Sequence, residues 1–324
     1  MLSNPIFYVS LSTSSRFMKR FTLIYIIYAC AIFTSHAQEL SDFLPSAKSG
    51  DPLAQYNAAQ CYFHGWGTEI NRQLGMQYLR LAAEGELPQA QSALATRYEK
   101  TFPLLADYWR GTPADSLPYR YHYRSYDNGC YYGEIRGGTR DGYGTFLWDS
   151  GTSHTGSWEE GDCYGMGYTR FADQHLYCNY TGDGSGYGAL ILADTTHHFS
   201  GAIGATRYVG YLVDATPNGF GTLYGNDGHL LYFGEFRNGH PTATYPSTEN
   251  YSSYRWVVEH LNGGDTWEGE SVGGIRNGFG IYRWADGSWW FGFWRNGLRE
   301  GEGLYVRYDG AIMTGYWLAG ELQE

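Results

Sequence analysis

The sequence predicts an α+β protein, in which a short N-terminal helical-repeat segment precedes an elongated open antiparallel sheet of β-hairpins. Three observations carry this. Of the 324 positions, 45 are Gly, 31 are Tyr and 18% are aromatic, a mixture that suits strands packed through rings laid over glycine. Apolar residues at helical spacing are confined to residues 47–99, and beyond residue 128 paired glycines recur at a fixed interval. Repeats decide the architecture, so they are weighed before single motifs.

The first segment, residues 1–37, stands apart from the fold. Lys19-Arg20 precedes the apolar run Phe21 to Phe33, which ends in Ser35-His36-Ala37; a charged start, a short apolar core and a small final residue read as a secretory signal. Met18 opens the pattern directly, so residues 1–17 fit an upstream start that is not used. The run is shorter than the ~20 residues a spanning helix needs, and Tyr28 stands where a lipoprotein signal ending at Cys30 prefers a small residue. Export to the periplasm, the outer membrane or the extracellular space is the expectation.

Residues 38–100 form the helical segment. Ala54, Ala58, Ala59, Cys61 and Tyr62, then Leu74, Met76, Tyr78, Leu79, Ala82 and Ala83, lie at mostly helical spacing between Gly50-Asp51-Pro52, Gly65-Trp66-Gly67 and Gly85. Gly50 to Ala54 (Gly-Asp-x-x-Ala), Tyr62-x-x-Gly65-x-Gly67 and Ala82-Ala83-Glu84-Gly85 resemble the Sel-one-like repeats, relatives of tetratricopeptide repeats. That resemblance implies an antiparallel helix pair used for protein contacts and no chemistry. About one and a half units are too few to bury a solenoid core, so the segment should dock on the C-terminal hairpins. Residues 101–127, with Pro103, Pro113 and Pro118, read as a linker.

Residues 128–324 carry the second period. With Gly133, Gly156, Gly210, Gly234, Gly269, Gly292 and Gly315 as origins, an aromatic residue, or His154 or Met313, lies two positions earlier in each. Glycine follows five positions later in all but one unit, where Ala215 stands. Paired glycines come nine and eleven positions on in Gly142/Gly144, Gly165/Gly167, Gly219/Gly221, Gly278/Gly280 and Gly301/Gly303. This spacing resembles the MORN family, whose pattern is nearly spelled from Trp290-Phe291-Gly292-Phe293-Trp294 through Gly301-Glu302-Gly303. The resemblance implies a meander of hairpins. Residues 176–201 keep only fragments of the pattern, and residues 240–264, with Pro241 and Pro246, read as an insertion.

Because side chains alternate along a strand, the origin, the residues two either side of it and the paired glycines share one face, on which rings meet glycines. Turns are expected at Asp227-Gly228, Asp286-Gly287, Asp309-Gly310 and Asn296-Gly297, giving one long twisted sheet. The reverse face is polar or mixed in most units but apolar at Leu231 and Phe233, and again at Trp289, Phe291 and Phe293 with Ile312 and Tyr316. Such a patch is either covered, by the insertion with Tyr254, Trp256, Val257 and Val258 or by the helical segment, or it is a docking site for a partner. These seven residues are the candidate partner-binding set.

Composition narrows the partners. Removing residues 1–37 takes away Arg16, Lys19 and Arg20 and no acid, so the formal charge of −11 becomes −14, with Lys48 and Lys100 the remaining lysines. Such a surface disfavours nucleic acid and anionic lipid, although the MORN resemblance also brings a phospholipid-binding role. Cys61, Cys130, Cys163 and Cys178 remain, an even number that allows three full pairings in an oxidising compartment or buried free thiols. No catalytic, cofactor-binding or metal-binding constellation is readable. His197-His198 has no completing acid or thiol spacing, Glu159-Glu160 falls in a hairpin turn, and Gly182 to Gly186 matches neither a phosphate loop nor a nucleophile elbow. The expected function is therefore that of a non-enzymatic exported scaffold for protein partners or self-association, with a glycan-binding surface as the alternative.

Overall fold

The computed structural model describes residues 39–112, 121–182, 184–193, 199, 204–243 and 251–323. Among these residues five helices come first: α1 (Leu40–Lys48), α2 (Pro52–His64), α3 (Arg72–Glu84), α4 (Pro88–Tyr98) and α5 (Pro103–Trp109). Local chemistry sets their ends. Asp51 accepts the Ala54 N–H at 2.9 Å and Pro52 opens α2, while Asn71 accepts the Leu74 N–H at 3.0 Å to start α3. Gly65, at φ 76°, closes α2 in the left-handed conformation. Small residues let the helices approach closely, with Ala58, Ala59, Ala82 and Ala90 fully buried between them.

The expected linker at 101–127 is corrected by the structure. It holds α5 and the first strand, because Pro103 sits at the first helical position, where its missing N–H costs nothing, and Leu104, Leu105, Ala106 and Trp109 are buried. The helices do dock on the hairpins: α3, α4 and α5 share one core with Tyr121, Cys130, Tyr132 and Leu147. The expected signal segment, Pro113, Pro118, Pro246 and His197-His198 lie outside the described residues.

Eighteen strands come next among the described residues, in two antiparallel sheets, each in sequence order. The first contains β1 (His122–Tyr126), β2 (Gly129–Arg136), β3 (Thr139–Trp148), β4 (Ser153–Glu159), β5 (Asp162–Arg170) and β6 (Gln174–Thr181). It continues through β7 (Ser185–Leu192), β8 (Ala205–Val213), β9 (Thr216–Gly225), β10 (Leu230–Arg237) and β11 (His240–Pro241). The second contains β12 (Tyr254–His260), β13 (Thr266–Val272), β14 (Ile275–Arg283), β15 (Trp289–Arg295), β16 (Leu298–Val306), β17 (Ile312–Leu318) and β18 (Glu321–Leu322).

The glycine register is a row running across the strands. In the first sheet Gly133, Gly144, Gly156 and Gly167 are consecutive partners, Cys178 takes the next place, and Gly188, Gly210, Gly221 and Gly234 complete the row. In the second sheet Gly269, Gly280, Gly292, Gly303 and Gly315 do the same. The ring two residues before an origin fills this furrow: a Cβ on Gly221 would stand 2.5 Å from Tyr208, and one on Gly303 2.5 Å from Trp290. Only glycine leaves room for the ring.

Two kinds of turn alternate. Four and five residues after each origin, both positions have positive φ, as at Asn296 (50°) and Gly297 (85°), the requirement of a type I′ hairpin turn. The exception, Ala215, adopts the same backbone at 57° after Asp214 at 48°. At the opposite strand ends the Asp-Gly turns are built on the aspartate side chain. Asp227, Asp286 and Asp309 accept the N–H two residues on, at 3.0, 2.7 and 3.1 Å.

The single long sheet is also corrected: it divides after Pro241. A proline has no N–H for a further ladder bond, and the apolar reverse faces of the two sheets turn towards each other. Met166, Tyr177, Ala189, Val209 and Tyr224 of the first sheet pack with Phe279, Ile281, Phe291, Leu304 and Ile312 of the second. The cover expected from residues 240–264 is therefore mainly the first sheet itself. Trp256 alone of the insertion's four named residues belongs to this core, and Val257 packs on the opposite face.

Candidate functional site

Four of the seven residues expected to dock a partner are occupied within the molecule. Phe291 is fully buried with its ring 5.1 Å from that of Tyr177, and Ile312 is buried in the same cluster. Trp289 is half-buried and edge-on to Tyr168 at 5.2 Å, and Phe293 lies 5.6 Å from Tyr187. Their apolar character serves sheet packing, which leaves Phe291 and Ile312 no free surface and Trp289 and Phe293 only part of theirs. Leu231 is re-aimed by an irregularity in the register between Leu230 and Tyr232, so it packs with the glycine-face cluster of Tyr208 and Tyr232. Phe233 remains 48% exposed beside Tyr251, and Tyr316 is 52% exposed.

Tyr316 leads to a site the sequence reading missed. At the end of the strands that carries the type I′ turns, the two sheets leave a groove of about 830 Å³. The first sheet contributes Tyr164 and Met166 from β5, Asn179 from β6, Tyr187 from β7, Tyr211 from β8 and Asn218 from β9; β16 and β17 contribute Glu302, Thr314 and Tyr316. Tyr164, Tyr211 and Tyr316 are 47%, 55% and 52% exposed. Tyr211 and Tyr316 stand one residue after an origin, and Tyr164, Met166, Asn218 and Glu302 eight or ten residues after one, on the reverse face. A tyrosine recurring there was the available signal, but its facing strand comes from the other sheet, more than a hundred residues away.

The groove is held by bonds between the sheets. Tyr143 Oη and Thr314 Oγ1 lie 3.0 Å apart, and Asn179 donates to Glu302. Deeper in, Glu270 accepts from Tyr224 at 2.8 Å, Thr222 at 3.1 Å and the Phe279 N–H at 2.8 Å. Burial raises the Glu270 pKa and these three donors pull against that rise. Tyr187 is pushed up to about 12, first by burial and then by Glu270 and Tyr211. It is therefore a neutral hydroxyl at physiological pH, suited to hydrogen bonding rather than proton transfer.

The residues lining the groove include no His, Cys or Lys. Among the described residues no group of three metal-ligating side chains occurs, and no helix is long and apolar enough to cross a membrane. Cys61, Cys130, Cys163 and Cys178 are free thiols. Burial pushes the last three up to about 12, leaving them protonated and unreactive at neutral pH.

The fold and groove define a class: a hairpin-repeat protein of two facing antiparallel sheets with a tyrosine-lined groove between them. In agreement, the family model for the MORN repeat matches residues 131–153, 208–230, 267–289 and 290–312. No curated protein sequence matches the chain. Among solved structures, the SAS-4 (dCPAP) TCP domain of Drosophila melanogaster, in complex with a proline-rich motif of Ana2 (dSTIL), is similar at 13% identity and a TM-score of 0.20. That match covers 63% of this chain and 94% of the other.

Proposed function

We propose that this is a non-enzymatic exported repeat protein that acts as a protein-interaction scaffold in the cell envelope or outside the cell, gripping its partner in the tyrosine groove. The observation that carries this is the set of exposed rings, Tyr164, Tyr211 and Tyr316, around Asn179 and Asn218. Tyrosine supplies large, stiff contact area at small entropic cost, and Asn adapts its hydrogen bonds, the composition favoured where proteins bind proteins. The resemblance of residues 38–100 to Sel-one-like repeats supports a further protein-contacting surface on the helices.

The test is capture from envelope extract with the chain lacking residues 1–37. One stoichiometric partner, or self-association, is expected with the wild type and a loss of at least about tenfold with Tyr211→Ala/Tyr316→Ala, since two hot-spot rings contribute more than about 1.4 kcal/mol. Undiminished capture by the double variant would overturn the assignment of the groove. A glycan is the second reading, favoured by Glu302 and the two amides set between aromatic faces. Binding on a glycan array that survives high salt, with no protein captured, would select it.

A further inference from the structure

At the opposite end of the intersheet space, where α5 meets both sheets, lies a separate cavity of about 290 Å³. Its apolar wall is Phe102, Leu104, Leu105, Trp289 and Val306, and its polar wall carries the hydroxyls of Thr145, Ser153 and Thr155. Three cations reach it, Lys100, Arg170 and Arg283. No Asp or Glu is among its lining residues, in a chain with 33 acids against 22 Lys and Arg. One of the two lysines outside residues 1–37 stands here.

The charge is only partly compensated. Arg283 is held by Glu268 at 2.7 Å and donates to Tyr177 Oη at 3.1 Å. Arg170 has no carboxylate within ion-pair distance among the described residues; its guanidinium lies 5.8 Å from the Phe102 ring. The local field is felt by His175, which is bonded to Tyr168 Oη at 2.7 Å and has its pKa lowered by burial, Arg170 and Arg283.

We infer that this cavity is a binding site for a small organic carboxylate with an apolar body. The Arg170 guanidinium offers the planar fork that a carboxylate takes bidentately; Lys100 would balance the second charge of an inorganic phosphate, but phosphate has no body to fill the apolar wall. The apolar wall beside α5 receives the body, and the volume lies near the lower end for small-ligand pockets. This site is distinct from the tyrosine groove and does not rest on the function proposed for it.

Octanoate is the probe, with 1-octanol and inorganic phosphate as controls, titrated into the full chain without residues 1–37 while Trp fluorescence and heat are recorded. Saturable octanoate binding is expected, with octanol and phosphate each at least about tenfold weaker, because a charge-assisted bond contributes about 1.5–3 kcal/mol. Arg170→Gln should lose about tenfold or more and Arg170→Lys should lose less, with melting temperatures showing that both variants fold. Arg170→Gln should leave partner capture by the groove unchanged, so the two sites are tested separately. Octanol binding as tightly as octanoate, phosphate competing equally with octanoate, or no saturable octanoate binding would each overturn the inference, and these wild-type outcomes hold even if a variant fails to fold.

Discussion

His154 occupies the place, two residues before an origin, where five other units carry Tyr or Trp. It is 1% exposed, its Nδ1 lies 2.8 Å from Thr169 Oγ1, and its ring meets Trp158 edge-on at 5.0 Å. Burial first, and Arg140 second, push its pKa down to about 3. A base with a lowered folded pKa stays neutral in the native state, while the unfolded chain takes up a proton below about pH 6.5. Its stabilising contribution is therefore complete above that pH and is lost as the pH falls towards 3. Between pH 7 and pH 5 the unfolding free energy should fall by about 2 kcal/mol more in the wild type than in His154→Phe. Equal pH dependence of the two proteins in urea titrations would contradict this. Other residue roles were less legible. Seven residues after an origin, Arg140, Arg276 and Arg299 lie 4.6, 4.9 and 5.6 Å from the rings of Trp158, Trp267 and Trp290. The sequence shows the recurring arginine, but its packing over a ring across the hairpin depends on the folded register.

Among the elements, α3 is joined to the β3–β4 turn by a buried ion pair. Arg80 and Asp149 are 3% and 6% exposed and joined by bonds of 3.1 and 2.9 Å, while Arg80 also reaches Glu84 at 3.0 Å and Ser125 at 2.7 Å. Burial works against the Arg80 charge, but the bonds to Asp149 and Glu84 outweigh it and raise its pKa. Removing one partner leaves a buried charge uncompensated, so Asp149→Ala should cost about 3–5 kcal/mol and Asp149→Asn less. Urea unfolding followed by far-UV circular dichroism checks this, and a cost below about 1 kcal/mol for Asp149→Ala would show that the pair does not hold the helices down. Helix caps and type I′ turns were readable because they depend on neighbouring residues. This ion pair was not, since its partners are 69 positions apart. The β6–β7 hairpin was only partly legible for another reason: Cys178 takes a glycine's place in the row, so residues 176–201 keep only fragments of the glycine spacing.

At the scale of the whole molecule, periodicity showed the strands and their two faces, but the number of sheets depended on what the apolar reverse face meets. Trp289, Phe291, Phe293 and Ile312 make the reverse face of their strands apolar as well; what periodicity could not supply was the packing surface on β5–β9 of the same chain. If that packing makes the sheets one cooperative unit, its centre should be Phe291, which is fully buried against Tyr177 and 6.0 Å from Phe279. Truncation to Phe291→Ala removes a large ring from a site enclosed by both sheets, for an expected loss of about 3–5 kcal/mol. Tyr316→Ala, at an exposed position of the same sheet, should change stability by no more than about 0.5 kcal/mol. In urea, tryptophan fluorescence and the helical signal should shift together for Phe291→Ala, because α3–α5 rest on the sheet whose reverse face Phe291 covers. A variant whose tryptophan signal is lost well before its helices melt would mean that the sheets fold as separate units and that the groove between them is not fixed by the fold.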